Sequence, residues 1–400
     1  MAAFAADERG EETQHVVLDC GGATCKAGFA GDDCPSTLFP SIVGFLKHPE
    51  VSLGDSPSSW VGDDAERRRG VLSMQSPFYH GEVCDWDTLE RIWQHTFANE
   101  LGIEPENHRV LVTEGPQISK ASRERMSEIM FETFNVQGMW MDGKKLDLFA
   151  TGRTTGVVVD SGHDVTHVVP VMDGYKIAHA VRSVKDLGGV NVTNTLAKLL
   201  EDQRGFSYTT RAELAVVNDM KEKLARMGGA GETLSGEDQE FVLPDGQTVL
   251  IGAEAFQCTE TLFDPSLAAG RKTYDAHELA DMVDGTDPVV LTGGVHMNIR
   301  SAIKAVDLSM ADLWGNIVCA GGNTMFPGFQ ERLQAEVEPL APNAAMVKII
   351  APPERKFLTW IGGSILASLE TFQQMWITKD MYAEGGPTVI HKVDGDTTSE

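Results

Sequence analysis

Basic residues are scarce in this chain. It carries 33 Lys and Arg against 59 Asp and Glu, a formal net charge of -26 and a sequence pI near 4.7. Such a surface is repelled by nucleic-acid backbones, which excludes nonspecific DNA or RNA binding. It does not exclude a nucleotide, because backbone amides and a metal ion act locally, and it favours basic protein partners. Cysteine is also sparse. The six residues Cys20, Cys25, Cys34, Cys84, Cys258 and Cys319 form no CxxC pair and no Cys/His spacing, so no structural zinc site is expected. Free thiols in a reducing compartment are the simplest expectation. No apolar run approaches the ~18 residues of a membrane span. Met1 to Glu12 is acidic and without a basic start, so no signal peptide is expected. GxxxxGK[ST], GxSxG and HExxH are absent, as is GxGxxG between a strand and a helix. P-loop, serine-hydrolase, zinc-protease and dinucleotide-fold readings lose their support with them.

What is present is an ordinary globular composition over 400 residues, 42% hydrophobic and 23% charged. At ~150 residues per domain this suggests two or three folding units, or one large two-lobed fold. Within it a phrase recurs. Val16-Val-Leu-Asp-Cys-Gly21 and Val157-Val-Val-Asp-Ser-Gly162 each end a β-branched apolar run in Asp-x-Gly. After each, strand character resumes beyond a tight turn, the pattern of a β-hairpin. Glycine there lets backbone N–H groups approach an anion, and an Asp at the strand end can hold a hydrated Mg²⁺. One such turn alone is an ordinary Asx turn. Two in matching strand context, Asp19 heading one half and Asp160 the other, point to a duplicated α/β protein whose hairpins clasp a triphosphate. A third turn, Ala320-Gly-Gly-Asn-Thr-Met-Phe-Pro-Gly328, separates an apolar strand from a helix and suits a base or ribose against bare backbone.

Longer stretches carry a specific resemblance. Cys25-Lys-Ala-Gly-Phe-Ala-Gly-Asp-Asp-Cys-Pro35, Thr151-Gly-Arg-Thr-Thr-Gly156, Lys348-Ile-Ile-Ala-Pro-Pro-Glu-Arg-Lys356 and Trp360-Ile-Gly-Gly-Ser-Ile-Leu-Ala-Ser-Leu369 resemble actin and actin-related proteins. The likeness runs from about Val16 to His391. It implies an α/β actin-like ATPase fold, two lobes each with a duplicated βββαβα core, and four subdomains around ATP or ADP with Mg²⁺ or Ca²⁺. The implied boundaries are 1–40, 77–150 and 358–400 for subdomain 1, and 41–76 for subdomain 2. Subdomain 3 takes 151–187 and 296–357, and subdomain 4 takes 188–295. The resemblance makes Asp19 and Asp160 the metal-side carboxylates, acting through water, and His167 the residue near the attacking water. It implies nucleotide contacts from Gly21, Gly22, Ala23 and Lys26 in the first hairpin. From the second half it implies Ser161, Gly162, His163, Asp164, Val165, Gly189, Lys221 and Glu222. Gly321, Gly322, Met325 and Lys356 surround the implied base site, and His80 matches a sensor-loop histidine. Read by residue type alone, Lys221-Glu222 is also a solvated helical pair and Lys356 a surface lysine.

The departures from that family matter as much. Actins carry a water-orienting glutamine shortly before Gly-Arg-Thr-Thr-Gly; here the bridge is one residue shorter, and Asp142, Gly143 and Lys144 stand in its neighbourhood. Losing such a group costs ~10²–10⁴ in rate. Asp164 replaces a phosphate-side glycine, while Gly22 and Ala23 replace a serine and a glycine. The metal carboxylates are kept, so nucleotide is expected to bind while hydrolysis is weak or absent.

Assembly surfaces diverge too. The subunit-contact loop includes Pro49, Asp55 and Pro57, the region 267–295 is longer than in actin, and a polar tail runs from Lys392 to Glu400. The longer region is either a tolerated surface loop or a partner site. The partner cleft is kept: Phe149, Ala150, Gly152 and Thr154 on one side, Leu366, Leu369 and Thr371 on the other. Leu366 and Leu369 are expected on one helical stripe.

Two functions compete. One is a structural, non-filamentous subunit of a larger cytoskeletal or ciliary assembly, with partners such as actin or tubulin- and dynein-associated proteins. The other is a divergent conventional actin that polymerises and hydrolyses ATP. No nucleic-acid partner and no membrane insertion is expected. The expected location is the cytoplasm and cytoskeleton, with the cilium and nucleus left open.

Overall fold

A computed structural model describes residues 14–47, 59–229, 236–243, 245–269, 293–306 and 311–391. The Pro49–Pro57 loop, most of the 267–295 region and the tail from Lys392 lie outside the described residues. The chain forms two compact units: residues 1–153 with 357–400, and residues 154–356.

In the first unit, β1 (Val16–Cys20), β2 (Thr24–Phe29), β3 (Thr37–Pro40), β4 (Arg109–Thr113) and β5 (Gly138–Asp142) build one sheet. Their spatial order is β3-β2-β1-β4-β5, and Ile377–Thr378 closes the β5 edge. The first three strands are antiparallel, while β1, β4 and β5 run parallel. Parallel strands are covered on both faces and so read as unbroken apolar runs. Accordingly Val16, Leu18, Val110, Val112, Met139 and Met141 feed one core. Val17, Leu111 and Trp140 feed another on the opposite face, against Trp360.

The second unit repeats the plan. Its strands are β6 (Gly156–Ser161), β7 (Thr166–Met172), β8 (Arg182–Val184), β9 (Ile317–Ala320) and β10 (Ile349–Ile350). They lie in the order β8-β7-β6-β9-β10, with Tyr175–Lys176 also on the β7 edge. Again the leading hairpin is antiparallel and β6, β9 and β10 are parallel. The same 3-2-1-4-5 order in both sheets is the duplication that the repeated phrase implies, and it makes this an actin-like α/β fold. Helices Gly189–Arg204 and Arg211–Leu224 pack on this sheet's core through Val192, Leu196, Val217 and Met220. The first ends where Gly205 takes φ 77° and its N–H reaches the Glu201 carbonyl, a left-handed stop. Thr210 and Glu213 open the second with reciprocal side-chain bonds to each other's backbone N–H, a capping box.

Two expectations are corrected here. Cys20 and Cys25 are not free thiols. They are opposed across the β1–β2 ladder with Cα atoms 4.1 Å apart and are joined as a disulfide. Cys34, Cys84, Cys258 and Cys319 are free. Nor do Leu366 and Leu369 share a helical stripe. The helix stops at Ser368, Leu369 turns extended, and Leu366 packs inward while Leu369 is 45% exposed. Among the described residues no helix is long and apolar enough to cross a membrane.

Candidate functional site

Each unit builds the same device at the carboxyl ends of its parallel strands, where ligands of open α/β sheets bind. In the first unit Asp19 lies opposite Lys26 across the hairpin; in the second Asp160 lies opposite His167. The turns match as well: Gly21 N–H donates to the Thr24 carbonyl and Gly162 N–H to that of Val165, each at 3.0 Å.

Asp19 is buried. Its Oδ2 accepts from Lys26 Nζ at 2.6 Å and its Oδ1 from Thr113 Oγ1 at 2.7 Å. Burial pushes this carboxyl up, but the charges of Lys26 and Lys144 and the two hydrogen bonds overcome that and hold it well below the usual carboxylate range. Gly22 and Ala23 complete the turn, and Ala23 is exposed. The sequence did not single out Thr113. Its position one residue past the Leu18–Val112 register pair places it beside Asp19, and only strand pairing reveals that.

The second device is braced by a residue that sequence reasoning missed. Asn323, buried in the third glycine turn, donates to Ser161 Oγ at 3.1 Å and to the Gly162 carbonyl at 2.7 Å. Ser161 Oγ also shares a hydrogen bond with Thr166 Oγ1 at 2.9 Å. The helix at Gly189 joins the same loop, its Gly189 and Val190 N–H groups donating to the Gly162 and His163 carbonyls at 3.0 and 2.9 Å. The packing admits no side chain at two points. A Cβ on Gly188 would lie 2.5 Å from the His163 carbonyl oxygen, and one on Gly321, at φ 85°, would lie 2.4 Å from Asp160 Oδ1. His163 and Asp164 occupy the tip of this loop. Burial, then the charge of Lys221, pulls the His163 imidazole down to about 4, with Glu222 opposing. His167 Nδ1 is hydrogen-bonded to Ser183 Oγ at 2.8 Å.

Lys221 is buried and spends its three donors on the Gly189 carbonyl, Thr193 Oγ1 and Asn218 Oδ1, at 3.2, 3.0 and 2.7 Å. Burial lowers its pKa to about 8, which Glu222 opposes. Glu222 accepts from Asn218 Nδ2 at 2.8 Å and faces solvent. Gly322 and Met325 lie in a short 3₁₀ turn, with Met325 exposed. Arg355, next to Lys356, ties its segment to this turn: Gly321 N–H reaches the Arg355 carbonyl and Arg355 Nε the Thr324 carbonyl, each at 3.0 Å. His80 has φ 50°. Of the partner-cleft residues, Phe149, Gly152, Leu366, Leu369 and Thr371 belong to the first unit and Thr154 to the second.

The residues that end and follow β5, Asp142-Gly-Lys-Lys145, include no amide side chain. Asp142 is buried there, accepts from Gly143 N–H at 2.7 Å and pairs with Lys145 at 3.2 Å. Burial raises its pKa against the pull of Lys145.

Each unit's glycine-lined turn by itself offers a phosphate close backbone approach beside a buried carboxylate, Asp19 with Lys26 in the first and Asp160 in the second. Among the described residues no cluster of three or more His, Cys, Asp or Glu is placed to hold a metal directly. In comparison with known proteins, the family described as Actin matches residues 10–393, nearly the whole chain.

Proposed function

We propose, from the premise that the chain belongs to the actin family, that it is an adenine-nucleotide-binding structural subunit of a larger protein assembly, with slow or absent hydrolysis. The observation that supports this most is the contrast between two intact Asp-x-Gly hairpins and the altered end of β5. Asp19 with Lys26, and Asp160 with the glycine turns, retain what is needed to hold Mg²⁺-nucleotide. Bound nucleotide would supply a ligand that stabilises only the folded chain. In the family a glutamine orients the lytic water. Here Asp142 is turned inward onto Gly143 and Lys145, so no side-chain amide is offered. Phosphoryl transfer depends mainly on positioning, so turnover falls while binding persists. We extend the family reading to the four subdomains set out above, to Mg²⁺ through Asp19 and Asp160, and to protein partners at the face around Phe149 and Leu369. Ile365 and Leu369 there are 41% and 45% exposed, an apolar surface suited to a partner.

The experiment is a fluorescent-nucleotide titration paired with phosphate release and sedimentation under salt and Mg²⁺ conditions that polymerise actin. Binding with little release and little pelleted protein is expected. Release at the rate of polymerised actin, with helical filaments in the pellet, would establish a conventional filament-forming actin instead.

A further inference from the structure

The two hairpins carry a cross-strand link at the same place, and the links differ in kind. In the second unit Ser161 and Thr166 are the register pair one step nearer the turn than Asp160 and His167. Ser161 Oγ and Thr166 Oγ1 share a hydrogen bond at 2.9 Å, just outside the turn that the Gly162 N–H closes onto the Val165 carbonyl. In the first unit Cys20 and Cys25 are the pair one step nearer the turn than Asp19 and Lys26. There the link outside the Gly21–Thr24 turn is the disulfide. A hydrogen-bonded clasp in one copy is thus a covalent, reducible clasp in the other. Access to it is one-sided, because Cys25 is buried while Cys20 is only partly so. The reduced form has a seat as well. Thr96 is fully buried, its Oγ1 donates to the Ile92 carbonyl at 2.8 Å, and the same oxygen lies 3.9 Å from Cys25 Sγ. With its proton committed to Ile92, that hydroxyl is left to accept from a Cys25 S–H.

We infer that the Cys20–Cys25 pair is a redox latch on the first phosphate turn: oxidised, it holds the turn ready for a nucleoside polyphosphate, and a dithiol reductant releases it. The inference concerns regulation of the proposed nucleotide site and rests on that reading. The chemistry is thiol–disulfide exchange. A thiolate of the reductant attacks the accessible Cys20 Sγ, the S–S bond breaks, and Cys25 leaves as a thiolate that takes up a proton. The reductant's second thiol then attacks the mixed disulfide, which frees Cys20 as a thiol and leaves the reductant as a disulfide. Two electrons and two protons have passed to the chain. The energetic basis is the make-up of the turn. Gly21 and Gly22 are adjacent, and glycine loses more backbone freedom on ordering than any other residue. A ring closed from Cys20 to Cys25 removes part of that freedom in advance, so less is lost when a phosphate is bound. The second turn has one glycine, in Gly162-His-Asp-Val165, and its clasp is braced by Asn323 donating to Ser161 Oγ.

The test is the affinity of the full chain for a fluorescent ADP analogue in Mg²⁺, after equilibration with excess dithiothreitol or with glutathione disulfide. Alkylation and mass measurement of the peptide holding Cys20 and Cys25 report the state of the pair independently of binding. Binding on the order of three- to tenfold tighter in the oxidised chain is expected. Cys20→Ser combined with Cys25→Thr installs the clasp of the second unit and should bind equally in both buffers. Should that variant not fold, Cys20→Ser alone breaks the disulfide and must likewise lose the dependence. Equal affinities of the parent chain in its two verified states would overturn the latch while leaving nucleotide binding intact. So would tighter binding by the reduced chain, or a dependence that survives in the variant. A pair that stays open to alkylation in glutathione disulfide would overturn it too. Failure of the parent chain to bind in either state would overturn both readings.

Discussion

Substituting Gly362 by alanine pits two rules against each other. The residue lies inside the Leu358–Ser368 helix, where glycine is ordinarily about 1 kcal/mol worse than alanine. By propensity alone Gly362→Ala should stabilise the protein. Packing predicts the opposite. A Cβ at this position would stand 2.0 Å from the Leu146 carbonyl oxygen and 2.5 Å from its carbon, whereas ordinary contact begins near 3.4 Å. The obstacle is backbone, which cannot rotate aside, so the helices Leu358–Ser368 and Leu146–Ala150 must move apart by more than an ångström. Around that seam lie the fully buried Trp360, whose Nε1 donates to the Val17 carbonyl at 3.0 Å, and the core of Val17, Leu111 and Leu146. Overpacking of this kind costs roughly 1–3 kcal/mol and more where backbone must shift. After the propensity gain a net loss of about 2 kcal/mol remains, a fall in Tm of about 4–8 °C. Differential scanning calorimetry would measure it, with Gly70→Ala as the reference. Gly70 has nothing within 4 Å of its added Cβ and should stay within about 0.5 kcal/mol of the parent. A Gly362→Ala protein as stable as the parent, or more so, would show that the helix seam yields freely and that the close-approach argument is wrong.

Other consequences follow from the same geometry. His163 is held neutral by burial, its pKa lowered from 6.5 to about 4. The folded state therefore binds fewer protons than the unfolded one, and the stability from this group is complete above pH 6.5 and is lost as pH falls towards 4; Tm measured against pH should decline less steeply across that window in His163→Gln. Arg332 is buried, bonded to Glu260 at 2.7 and 2.9 Å and to Glu336 at 2.8 Å, and stacked over Phe263. Arg332→Met strands the nearly buried Glu260 carboxylate and should cost about 3–5 kcal/mol in urea unfolding; a loss below about 1 kcal/mol would mean the carboxylates find water. Restoring the family's water-orienting glutamine with the missing residue after β5, together with Asp164→Gly, should raise phosphate release on the order of 10²-fold. Unchanged release would show that positioning of water at this point is not what limits turnover.

The parts legible in sequence were the local ones. Runs such as Val16-Val-Leu18 and Val157-Val-Val159 declare the first strand of a hairpin, and Asp-x-Gly declares the turn after each, because β propensity and turn chemistry act within a few residues. Their recurrence foretold two equivalent sheets, and the long matched stretches foretold the family. Tertiary structure decided what depends on strand order and side-chain direction. Thr113 comes to Asp19 only because β4 pairs with β1, and Asn323 reaches Gly162 only because β9 lies beside β6. Cys20 and Cys25 read as separate thiols until hairpin register set them opposite each other. Lys221, which read equally well as a solvated lysine, is buried against Thr193 by the packing of two helices. Lys144 and Thr359, more than two hundred residues apart, meet where Gly362, lacking a side chain, lets its helix lie directly on the backbone of Leu146, the first residue of the helix after the β5 turn. Such pairs are set by where chains cross, and no local propensity encodes a crossing.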